Sequence, residues 1–90
     1  MRERVSEMRA IGRDALLSLE AAHSEALLHF RDSAAVRGRL ETIIAAEAEC
    51  CAFLGFTLTD APDVLVLTVR APEAGREVVH ELAAAFSGEA

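Results

Sequence analysis

The chain has 90 residues, 52% of them apolar, and a formal net charge of −6; this supports one small hydrophobic core, argues against disorder and leaves little room for a large enclosed active site. Asp and Glu are spread along the chain, so the basic footprint that non-specific binding to DNA or RNA requires is missing, and no nucleic-acid partner is expected. No apolar run approaches the roughly 18 residues of a membrane span, the start Met1-Arg2-Glu3-Arg4-Val5 is unlike a secretory signal, and two adjacent cysteines build no disulfide framework; the expected location is the cytoplasm, with no membrane partner.

In chain order, Val5, Met8 and Ile11 recur at helical spacing, and Gly12 reads as the stop of a short amphipathic helix over residues 2–12. Ala15 to Leu19 reads as a strand, Ala22-His23-Ser24 as a turn and Glu25 to Arg31 as a second strand, making a hairpin. Asp32 or Ser33 supplies an N-cap for a long helix reaching about Ala52, with Gly55 placed to serve as its C′ residue. Phe56 to Thr59 alternates as a half-buried strand, Asp60 to Asp63 is a turn, and Val64 to Arg70 is a β-branched strand. Pro72 suits the first turn of a last helix that runs to about Phe86 and stops before Gly88.

The two ββα units look related. At the 39-residue offset that carries Arg31 onto Arg70, Arg37 meets Arg76, Leu40 meets Val79, Ile43 meets Leu82, and Ala45-Ala46 meets Ala84-Ala85. The expected fold is α+β: an N-terminal helix (1–13), a first ββα unit (14–52) and a second (55–87), one domain over 1–90, with a four-stranded antiparallel sheet carrying two helices on one face. Strict alternation places Leu17, Leu19, Leu28, Phe30, Phe56, Leu58, Leu65, Leu67 and Val69 on the core face. It leaves Leu16, Leu27, Val64 and Val66 with His29, Thr57 and Thr59 on the other, which is too apolar for comfortable exposure. Either the first helix covers that face or a second copy does, and a homodimer is the expectation.

On a wheel of about 100° per residue with Val36 at zero, Leu40 and Ile43 define the core stripe of the middle helix and Glu47 falls near its centre, at about 20°. Cys50 and Cys51 lie one turn on, at about 320° and about 60°, either side of the stripe. The repeat partner of Glu47 is Phe86, so a carboxylate stands where packing asks for a hydrophobe. A buried carboxylate needs a hydrogen-bond donor, a cation or a proton. Two thiolates and a carboxylate suit a thiophilic metal ion, zinc, copper(I) or mercury(II), and the partial negative charge of a helix C-terminus favours a bound cation. Adjacent cysteines on a helix diverge, so one ion between them requires the helix end to unwind.

Two other readings stand beside this one. Cysteine also behaves as a small buried hydrophobe, which makes the chain a non-catalytic dimerisation or interaction module with structural cysteines. A small thiol-dependent enzyme is the third, disfavoured because activated cysteines usually sit at helix N-termini or beside a base. No catalytic residue is identified, and His23, His29 and His80 read as solvated rather than ligating.

The segment Ala45-Ala46-Glu47-Ala48-Glu49-Cys50-Cys51-Ala52-Phe53-Leu54-Gly55-Phe56 resembles a group of small, loosely characterised bacterial proteins that share Glu-x-x-Cys-Cys-x-Phe followed by a strand. In that group Pro often follows the cysteine pair, where this chain has Ala52. Similar segments occur in proteins that also carry a MerR-like DNA-binding domain, a regulator type that often senses metals or thiol-reactive compounds. The resemblance covers about residues 8–86 and implies Glu47, Cys50 and Cys51 as a soft-metal site, in metal resistance or sensing. It implies no regulator function, because the chain has no helix-turn-helix.

Overall fold

The computed structural model describes residues 2–88, with side chains from residue 5 onward; the expected domain ends at 1 and 89–90 lie outside them. The elements are α1 (Arg2–Ala15), β1 (Leu16–Ala21), β2 (Glu25–Arg31), α2 (Ala34–Cys50), β3 (Gly55–Ala61), β4 (Val64–Arg70), a 3-10 turn (Glu73–Gly75) and α3 (Arg76–Ser87). The fold is α+β, and the four strands form one antiparallel sheet in the order β1-β2-β4-β3.

The 39-residue offset recurs in the elements themselves. It carries β2 onto β4 residue for residue and the start of β1 onto that of β3. The two ββα units meet along β2 and β4 in the middle of the sheet, where Leu28 pairs with Leu67. Inward positions of these central strands are Ala26, Leu28 and Phe30 and then Leu65, Leu67 and Val69, all buried. Each inward-facing Leu, Val or Phe side chain contributes roughly 1.5–3 kcal/mol by leaving water.

The first strand departs from strict alternation. Leu16 pairs with Phe30 and Ser18 with His29, so a bulge falls at Leu17. The extra residue swaps the faces: Leu16 packs on the core, and Leu17 is 58% exposed, the reverse of the alternating assignment. A bulge shifts the register by one residue, and a one-residue shift inverts every side chain beyond it.

The helix assignments change in two respects. α1 does not stop at Gly12 but runs to Ala15, so Ala15 is helical rather than the start of a strand. Gly12 is buried at a crossing with α3, where an added Cβ would lie 1.7 Å from the carbonyl oxygen of Phe86. Glycine is here a point of close helix approach, as small residues are where backbones must meet. α1 therefore sits on the same side of the sheet as α2 and α3, with Met8, Ile11 and Ala15 in the common core. The helical face carries three helices, and no helix among the described residues covers the other face of the sheet.

Of the two candidate N-caps it is Ser33 that acts, its hydroxyl accepting from the Val36 N–H at 3.1 Å. Gly55 is not a C′ residue; Cys51 caps α2 and Gly55 opens β3. The last helix begins as a 3-10 turn with Pro72 as its N-cap and ends at Gly88 in the left-handed region (φ 83°). The β3–β4 hairpin turns on Pro62 and Asp63, the latter at φ 63°.

Candidate functional site

The buried face of α2 is Val36, Leu40, Ile43 and Glu47. The spacing is that of one helical stripe, so the periodicity that buries three aliphatics also buries the carboxylate. Glu47 is 6% exposed, the one charged residue among the buried side chains described. Phe86, its counterpart in the second unit, is 3% exposed and meets Phe30 edge-to-face, ring centroids 5.7 Å apart. The two units thus place a carboxylate and an aromatic ring at equivalent inward positions.

α2 ends between the two cysteines. Cys50 is its last residue; Cys51 has left the helix, with φ −130° and ψ 82°. The Cys51 N–H still donates to the Glu47 carbonyl at 2.8 Å, and the Cys51 carbonyl accepts from the Leu54 N–H at 3.0 Å. These two bonds turn the chain into β3 and hold Cys51 one turn beyond Glu47. The thiols differ in exposure: Cys50 is exposed and Cys51 half-buried.

Glu47 and Cys51 line one cavity of about 200 Å³ between α1, α2 and α3. Val5 and Met8 of α1 form one wall; Val78, Leu82 and Ala85 of α3 form another, and Glu81 joins them. Cys50 is not among the lining residues. The structure therefore brings together two of the three expected site residues, Glu47 and Cys51, and leaves Cys50 on the surface beside them. Among the described residues, no three His, Cys, Asp or Glu side chains converge as a metal-binding group.

Sequence reasoning did not place Val5, Met8, Glu81 and Leu82 at this site. The apolar spacing of α1 carried the necessary signal, since Val5 and Met8 share a stripe with the buried Ile11. What it lacked was the side of the sheet on which α1 lies. The histidines stand away from the cavity. His23 pairs with Glu73, His80 Nε2 lies 3.1 Å from the His23 carbonyl, and His29 is half-buried on the outer sheet face. Its Nδ1 atom is buried with no hydrogen-bond partner among the described residues.

Comparison with known proteins finds no family model that matches the chain and no similar curated protein or solved structure. Among the described residues no helix is long and apolar enough to cross a membrane.

Proposed function

We propose that this protein binds a thiophilic metal ion through the Sγ atoms of Cys50 and Cys51, with Glu47 assisting, in metal resistance or sensing. The observation that carries this reading is the end of α2 between the two cysteines. On an unbroken helix consecutive side chains point about 100° apart. With Cys51 outside the helix, that constraint is lifted and the two sulfurs are able to turn toward one ion. Copper(I) and mercury(II) are the ions that soft thiolates select most strongly, and two thiolates satisfy them. Zinc takes four ligands and would draw further donors from outside the pair. The negative end of α2 and the Glu47 carboxylate both favour a cation there.

The test is metal analysis and titration of tag-free protein purified without oxygen. One equivalent of copper(I) or mercury(II) is expected per chain, lost in both Cys50→Ser and Cys51→Ser and weakened in Glu47→Gln. Stoichiometric metal that persists at full affinity in Cys50→Ser would sink the reading.

A specific observation favours a second role, as a self-associating module. With all three helices on one side, the outer sheet face presents Leu27, Val64 and Val66, half-buried with no described helix over them, and the bulge adds Leu17. A second copy is the occupant we propose, giving a homodimer that buries this apolar surface.

A further inference from the structure

The two cysteines are not equivalent, and the difference bears on what form the metal takes. Cys50 lies at the surface, whereas Cys51 lines the cavity of about 200 Å³. Most of that cavity's wall is apolar, from Val5, Met8, Val78, Leu82 and Ala85, with the carboxylates of Glu47 and Glu81 also at its lining. The donors at the cavity are Cys51, the Met8 thioether and the Glu47 and Glu81 carboxylates, and its hydrocarbon walls offer an ion no donor. An organic group does gain from them, since apolar surface is removed from water. The space is of the right order for a ring: an apolar cavity of about 150 Å³ in another protein stays dry and binds benzene. Met8 is 2% exposed and brings a second soft sulfur to the same wall.

We infer that the site takes an organometal cation of the organomercury class, with Cys51 as the thiolate ligand and the hydrocarbon part seated in the cavity between α1 and α3. The inference rests on the soft-metal reading above and names the chemical form of the ligand. The step is a ligand exchange at mercury. The Cys51 sulfur forms the S–Hg bond, the bond from mercury to its incoming ligand breaks, and that ligand leaves with the electron pair. The thiol proton passes to solvent, the Hg–C bond stays intact, and nothing is oxidised or reduced.

The experiment partitions phenylmercury and methylmercury between the reduced full-length chain and an excess of 2-mercaptoethanol. Both competitors offer one S–Hg bond, so the ratio of the two partition constants reads the cavity alone. Phenylmercury is expected to prefer the protein over methylmercury by at least about tenfold, the scale of a few additional buried carbons. The preference should survive Cys50→Ser and vanish in Cys51→Ser. It should also collapse toward one in Val78→Phe, which fills the cavity from a half-buried position, and in Ala85→Ile, with folding of each variant checked by circular dichroism. A ratio near one in the natural chain, or a preference that survives Cys51→Ser or both filling variants, overturns the inference. Inorganic mercury(II), titrated in parallel, separates the two levels. If it needs both cysteines while the phenyl preference is missing, only the organometal inference fails. If it ignores Cys50, the paired-thiolate reading fails instead.

Discussion

Cys50 and Cys51 are neighbours in the chain and stand in different surroundings, one open to water and one turned into a cavity wall. Exposure governs how fast a bulky reagent reaches a thiol. A polymer-linked maleimide should therefore modify Cys50 faster than Cys51, as read by intact mass against time in Cys50→Ser and Cys51→Ser. Equal rates in the two variants would mean that the half-buried position of Cys51 offers no protection. Glu47 was legible because helical periodicity holds from Val36 through Ile43 to its own position. The placement of Cys51 was not, because the wheel assumes a helix that has already ended there. Leu17 was illegible for a similar reason. Nothing in Leu16-Leu17-Ser18-Leu19 marks a bulge, and only the pairing of β1 with β2 sets which leucine turns inward.

Two glycines inside helices make the argument at the scale of elements, because the same substitution has opposite consequences at each. Gly38 lies in the exposed face of α2, and a Cβ there meets nothing within 4 Å. Gly38→Ala should stabilise the protein by about 0.5–1 kcal/mol, the ordinary helix-propensity difference. Gly12 faces the backbone of Phe86, which has no rotamer by which to move aside. Gly12→Ala should cost about 3 kcal/mol, because α1 must lift away from α3 and open the core around Met8 and Ile11. Urea denaturation of the two variants reads both signs, and a stabilised Gly12→Ala would show that α1 does not sit against α3. Sequence alone cannot separate these glycines. Gly12 reads as a terminator by habit of position, and its close approach exists only once α3 is in place. β2 and β4 were read to the residue, because they alternate cleanly and are bounded by turn residues, whereas β1 runs on to Ala21 and β3 takes in Asp60 and Ala61, which had read as turn.

For the whole molecule, the consequential fact is that three helices share one side of the sheet. Sedimentation velocity should report twice the chain mass, and Val66→Asp should reduce it to one. A natural chain that stays monomeric at high concentration would instead leave the outer face as a tolerated apolar surface. Surface ion pairs should matter little to stability. Arg37 pairs with Asp60, and Arg70 Nε lies 3.3 Å from a Glu25 carboxylate oxygen, but both bridges are solvated. Asp60→Asn should change the unfolding free energy by less than about 1 kcal/mol. The α+β class and the relation of the two units were readable from the order of elements and from the 39-residue offset. The side chosen by α1 was not, since its amphipathic stripe fits either face of a two-sided apolar sheet.

The crossing of α1 on α3 also sets an order of events in folding. The two hairpins are local, and the β2–β4 pairing joins units that are each nearly complete. The Gly12–Phe86 contact, by contrast, closes almost the entire chain. Closing a long loop has an entropic cost that local contacts do not carry, so α1 should dock after the folding barrier has been crossed. Ile11, fully buried, is the probe. Ile11→Val should remove about 1 kcal/mol of stability, nearly all of it as faster unfolding with folding unchanged, a φ-value close to zero. Leu67→Ala, in the central strand, should slow folding itself. On this order α1 is the last helix to find its place, and because Val5 and Met8 wall the cavity beside Cys51, the cavity is completed only when it docks.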